Sequence, residues 1–78
     1  MKLVPVLKVD MDSDVVFHTK SQKVKKSVGD EVVLQVSGCF IMEGKIEHLI
    51  CDMVSLKSAK SSIVIPKENI TGIGIQEE

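Results

Sequence analysis

Apolar and polar residues alternate over much of the chain from Gly29 onward. Val32, Leu34 and Val36 share one parity and are interleaved with Glu31, Val33, Gln35 and Ser37. After Gly38, the residues Phe40, Met42, Gly44 and Ile46 share a parity again. A period of two puts one side-chain set on each face of a strand, so each run predicts a β-strand with one buried face. The second strand, residues 39–50, breaks that rhythm, because Ile46 and Leu49 stand three apart and strict alternation would send them to opposite faces. A bulge or sharp bend near Glu47 and His48 reconciles them, and Gly44 permits close backbone approach at the same corner.

The punctuation continues in the same style. Cys51-Asp52 predicts a turn, and residues 53–57 a third strand with Val54 and Leu56 inside. Residues 58–61 form a polar hairpin connection, and residues 62–65 a fourth strand that Pro66 ends. Pro66-Lys67-Glu68-Asn69 predicts a single 3₁₀ turn with proline pre-set at its first position. Residues 70–75 close the set as a strand in which Gly72 and Gly74 leave one face bare. The expected core is Val32, Leu34, Val36, Phe40, Met42, Ile46, Leu49, Val54, Leu56, Ile63, Ile65, Ile73 and Ile75.

Residues 1–28 differ in texture. Residues 3–9 predict an edge strand, since Pro5 lacks the amide proton that a central strand needs. Residues 10–14 are a polar turn and residues 15–18 a second short strand. Residues 19–27 bring four lysines with hardly any apolar residue, which predicts a loop or an exposed strand rather than a helix. The expected organisation is an N-terminal extension over residues 1–28, followed by an all-β, small SH3-like barrel of about five antiparallel strands over residues 29–78.

Gly38 at the end of the first barrel strand, Gly44 midway through the second, then Ile46, Leu49, Asp52, Met53, Val54 and Leu56 make a pattern that resembles the Sm-like (LSm) family, including its small bacterial members. The resemblance covers residues 29–75 and includes Ile65-Pro66-Lys67-Glu68-Asn69-Ile70 before the last strand. It implies an Sm-type barrel, self-assembly and RNA contact through loops. Val54 and Ser55 stand where RNA-binding members carry an asparagine, and Pro66-Lys67 where they carry an arginine–glycine pair.

Composition narrows the functions. A chain of 78 residues makes one domain, and a domain that small buries only about 60–65% of the surface its unfolded form exposes. Cys39 and Cys51 are too few for a disulfide framework and are expected as small buried hydrophobes in strands, reduced and metal-free. Oligomerisation is the expected reinforcement. Lysine supplies all 10 basic residues against 11 acidic ones. Broad nucleic-acid binding needs a basic excess to neutralise phosphates, and arginine, the bidentate phosphate ligand, is absent. The apolar opening is too short for a signal peptide or a membrane span. A cytoplasmic protein without a membrane partner is expected, and the glycosylation pattern Asn69-Ile70-Thr71 is read as chance.

No constellation for catalysis emerges. Asp10-Met11-Asp12-Ser13-Asp14 imitates an EF-hand loop, but Val15 stands where that loop needs glycine and Ser21 where it needs a bidentate glutamate. His18, Cys39, His48 and Cys51 lack the paired short spacings of a zinc site. No catalytic residue, metal ligand or cofactor is therefore expected. The candidate contacts to RNA or to an acidic protein are Lys20, Lys23, Lys25 and Lys26, with Lys57, Lys60 and Lys67 as a second basic rim if their loops converge. The candidate oligomer edge is Ile63, Ile65, Ile70, Ile73 and Ile75, on strands that carry no charge. Two functions follow: a homo-oligomeric protein-interaction or structural module, or alternatively an Sm-like RNA-binding protein.

Overall fold

A computed structural model describes residues 1–76. The strands are β1 (Lys2–Pro5), β2 (Lys8–Met11), β3 (Val15–His18), β4 (Lys23–Lys26), β5 (Glu31–Val36), β6 (Phe40–Ile50), β7 (Met53–Lys57), β8 (Ser62–Pro66) and β9 (Ile70–Ile75). One 3₁₀ turn, Lys67–Asn69, links β8 to β9. All pairings are antiparallel. They build a six-stranded sheet in the order β1-β9-β5-β6-β7-β8 and a three-stranded sheet, β2-β3-β4. The all-β expectation holds, and the first and last strands of the larger sheet are not paired with each other.

The corner expected in the long strand is present. The N-terminal half of β6 pairs with β5, from Phe40 opposite Val36 to Lys45 opposite Glu31. Its C-terminal half pairs with β7, and the register shifts between Ile46 and His48. Glu47 is the residue set aside by that bulge, so Ile46 and Leu49 both reach the core side, opposite Leu56 and Val54. A bulge bends and twists its strand, which lets one strand serve two directions of the sheet.

Each end of β6 turns tightly. Ser37 and Gly38 both have positive φ (53° and 79°) where β5 turns into β6, and Cys51 and Asp52 (47° and 64°) where β6 turns into β7. Positive φ at both central residues is the hand that matches the twist of a two-stranded ribbon, as in a type I′ turn, and it suits asparagine and glycine. Cys51 adopts it at the cost of a Cβ clash of about 1–2 kcal/mol. Replacing Cys51-Asp52 by Asn-Gly is therefore expected to stabilise the protein by about 1 kcal/mol and raise Tm by roughly 4–8 °C. Thermal melts of the two proteins measure it, and an unchanged or lower Tm would mean that the native pair makes a compensating contact.

Both cysteines lie exposed in these turns. The turn expected at Cys51-Asp52 is present, and the expectation that the cysteines are buried strand residues is corrected: the apolar parity around them belongs to the strands on either side.

Buried residues from both sheets form one cluster: Val9, Val15, Phe17, Val32, Leu34, Val36, Ile46, Val54, Leu56, Ile65, Ile70 and Ile73. Met42, Leu49 and Ile75 pack against it while partly exposed. Two expected core residues are corrected. Phe40 is 58% exposed and Ile63 is 40% exposed. In compensation, the N-terminal residues supply the aromatic: Phe17 is wholly buried, with Val9 on one side and Val24 on the other. The region read as an extension thus contributes the second face of the core, with β4 as the exposed strand expected over residues 19–27.

Candidate functional site

The two sheets leave four edge strands, β1, β2, β4 and β8. Such an edge carries unpaired amide and carbonyl groups, and proteins discourage unwanted pairing there with charge, proline or cover. β1 carries Lys2 and Pro5, β2 carries Lys8 and Asp10, and β4 carries Lys23, Lys25 and Lys26. β8 reads Ser-Ile-Val-Ile-Pro, without a charge.

The register fixes which groups β8 offers. Lys67 N–H donates to the Asp52 carbonyl at 2.8 Å, and Ser58 N–H to the Ser61 carbonyl at 2.9 Å. Both bonds continue the register in which Val54 faces Ile65 and Leu56 faces Ile63. Antiparallel pairs alternate between bonded and non-bonded, so Ile63 and Ile65 turn their backbone groups toward β7. Ser62 and Val64 consequently turn N–H and C=O outward, while Pro66 turns out a carbonyl only. Their side chains alternate too. Ile65 is buried, Val64 is 55% exposed, and Ile63 joins Ile41, Met42 and Leu56 along a groove open to solvent. Glu47 anchors the start of the strand: its carboxylate accepts from Ser55 Oγ at 3.3 Å and Ser62 Oγ at 3.4 Å.

The other expected edge is corrected. β9 lies between β1 and β5, with Leu3 opposite Gly74 and Pro5 opposite Gly72. Ile70 and Ile73 are core residues and Ile75 is half-buried. The bare glycines do admit a neighbour, but it belongs to the same chain. A Cβ on Gly74 would meet the Met1 sulfur and Val33 Cβ, and one on Gly72 would meet Gln35 and the Val4 carbonyl.

The lysines do not form one surface. On the outer face of the three-stranded sheet, Lys8, His18 and Lys23 stand in one cross-strand row, and Asp10, Val16 and Lys25 in the next. Acidic partners lie beside Lys8 and Lys25. His18 Nε2–H donates to Asp10 Oδ2 at 2.7 Å, and Lys8 Nζ lies 3.7 Å from Asp10 Oδ1. Lys25 Nζ lies 3.3 Å from Asp14 Oδ2, and Ser27 Oγ donates to Asp14 Oδ1 at 2.8 Å. Lys26 faces the opposite way, toward the core side with Val24, and Lys20 lies in the β3–β4 turn. The second rim does not converge. Lys57 and Lys60 sit at the β7–β8 hairpin, whereas Lys67 lies at the far end of β8, roughly 16 Å of strand away, beside Asp52 at 3.6 Å.

These contacts set an acid limit. The His18 hydrogen bond and Lys8 hold the Asp10 carboxyl below its ordinary 3.8. The hydrogen bonds from Ser27 and Lys25 do the same for Asp14. A carboxyl whose pKa is lower folded than unfolded binds fewer protons in the folded state, so its stabilisation is present above 3.8 and lost as the pH falls through the folded value. Denaturation midpoints are expected to decline below about pH 4, and the Asp10→Asn/Asp14→Asn variant should decline less steeply. Parallel acid limbs for the two proteins would remove these carboxylates as the cause.

Among the described residues, no group of three or more His, Cys, Asp or Glu is placed to hold a metal ion. No helix there is long and apolar enough to cross a membrane. No family model, curated protein or solved structure matches this chain.

Proposed function

We propose that the chain is a non-enzymatic, SH3-like barrel protein of Sm type that works as a self-associating interaction module, with β8 as its contact edge. The observation that carries this reading is the contrast among the edges: three are charged, and β8 is apolar and exposes two residues' worth of backbone donors and acceptors. The Sm-type assignment is supported by the meander β5–β8, the corner at Glu47, and a one-turn 3₁₀ link that returns β9 beside β5. The candidate lysines are spread over separate faces, and Lys25 and Lys67 already lie beside Asp14 and Asp52, which favours protein over RNA as the partner, because phosphate contact needs cations gathered on one surface and free to replace counterions.

Light scattering on the unaltered protein from micromolar concentrations upward, with absorbance at 260 and 280 nm, tests the proposal. The expected result is a mass that rises above the monomer without nucleic acid. A monomer at all concentrations would overturn self-association, and a particle that carries nucleic acid would favour the RNA-binding alternative.

A further inference from the structure

The free backbone groups of β8 are complementary to a second copy of the same strand. We infer that two copies pair β8 with β8 antiparallel about a twofold axis at Val64, joining two six-stranded sheets into one and closing the assembly at a dimer. The inference rests on the self-association proposed above and adds its partner geometry.

Val64 is the central residue of Ser62–Pro66, and its N–H and C=O both face outward. On the axis it meets its own copy, and the two residues exchange both hydrogen bonds. Ser62 then stands opposite Pro66 of the second copy, where the serine N–H finds the proline carbonyl. Proline's missing donor removes nothing from this pairing except a second bond to the Ser62 carbonyl, so four hydrogen bonds form in all. On the core-side face Ile63 stands opposite Ile65 of the second copy, which extends the groove with an apolar pair and covers part of the exposed Ile63. No charge is desolvated.

The competing arrangement, β8 against β1 of a neighbour, is less favourable. Val6 N–H donates to the Thr71 carbonyl at 2.9 Å. By the same alternation, Leu3 turns both backbone groups outward and Pro5 its carbonyl. Matching Leu3 to Val64 would set Lys2 opposite the buried Ile65, so an ammonium would approach the core without a counter-charge. Such a head-to-tail contact would also generate rings or filaments, whereas β8 on β8 uses the same patch twice and closes. Five-residue edges bury less than the roughly 1,200–2,000 Å² of a standard interface, so the dimer is expected to dissociate in the micromolar range.

Cross-linking tests the axis. In a Cys39→Ser/Cys51→Ser background, which removes both exposed native thiols, Val64→Cys treated with a short bis-maleimide should give a covalent dimer. A Lys20→Cys control should not. Val64→Lys places like charges directly opposite each other, which is destabilising. Because the Val64 side chain is largely exposed, this variant should keep the strand signature by circular dichroism while its dimer dissociation constant rises roughly tenfold or more. Suppose the unaltered protein exceeds monomer mass but the Val64→Cys variant fails to link to itself, or links to Leu3→Cys in a mixture of the two variants. The twofold geometry is then overturned and self-association stands. Undiminished dimer in Val64→Lys overturns it likewise. A monomer throughout removes both readings.

Discussion

Phe17→Ala is expected to remove a large share of the protein's stability, whereas Phe40→Ala should change it little. The chain has only these two aromatic residues. Phe17 is wholly buried between Val9 and Val24, and its ring fills the space between the small sheet and the large one. Truncating a buried phenylalanine costs about 3–5 kcal/mol, from lost transfer energy and the cavity left behind. A domain of this length has roughly 4–12 kcal/mol in total, so the loss approaches the lower bound of its whole stability. Phe40 is 58% exposed at the start of β6 and should lose less than about 1 kcal/mol. Urea denaturation followed by circular dichroism measures both. Equal effects, or a Phe17→Ala loss under about 1 kcal/mol, would mean that the small sheet does not dock as described.

Gly44→Val is expected to be comparably damaging for the opposite reason, excess rather than missing volume. A Cβ at Gly44 would sit 2.8 Å from the Lys57 carbonyl oxygen and 3.2 Å from its carbon. Both are backbone atoms of β7, so no flexible side chain can swing aside. Overpacking of this type costs about 1–3 kcal/mol for a single added group, and valine adds three carbons. Alanine should fall near that range and valine beyond it. Gly38 is the useful contrast: nothing lies within 4 Å of its would-be Cβ, and its requirement is the positive φ of 79°. Gly38→Asn should therefore be tolerated, since asparagine adopts that conformation readily, while Gly44→Asn should not. If both asparagine variants melt alike, the close approach of β6 to β7 is not what selects glycine at residue 44.

Much of the strand pattern was legible along the chain. Val32, Leu34 and Val36 revealed β5 because all three lie on one side of it and bury together. The three-residue step from Ile46 to Leu49 revealed the bulge, since a strand whose side chains alternate must gain one residue to bring both inside. Pro66 revealed the 3₁₀ turn, and its missing donor also agrees with its place at a non-bonded position of β8. Residues 1–28 were harder. Leu3–Val9 resembles one edge strand, but Pro5 falls where the chain leaves β1, and β2 begins afresh at Lys8 in a different sheet. The lysine-rich β4 has little apolar content because, of its two inward-facing residues, only Val24 is apolar, beside Phe17, and the other is Lys26.

The candidate edge was half legible. Both isoleucine-rich strands lack charge, which is the composition of a strand with pairing on either side as well as of one left open. Sequence distinguishes a charged edge from an uncharged strand, but not an uncharged edge from an interior strand. β9 is interior because β1 returns from the start of the chain to occupy its outer side. β8 is open because no segment among the described residues comes back to it.

Local chemistry, then, sufficed for the strands β5 to β9, the corner at Glu47, the turns and the 3₁₀ link. Parity, proline and turn residues act within a few positions of themselves, so these features are readable from neighbouring residues alone. The packing of distant segments settles which aromatic is buried, that the cysteines face solvent, that Lys25 lies beside Asp14, and which uncharged strand remains open. Each of those depends on a partner many residues distant. Alternation shows that one face of a strand is covered, and only the packed chain determines by what.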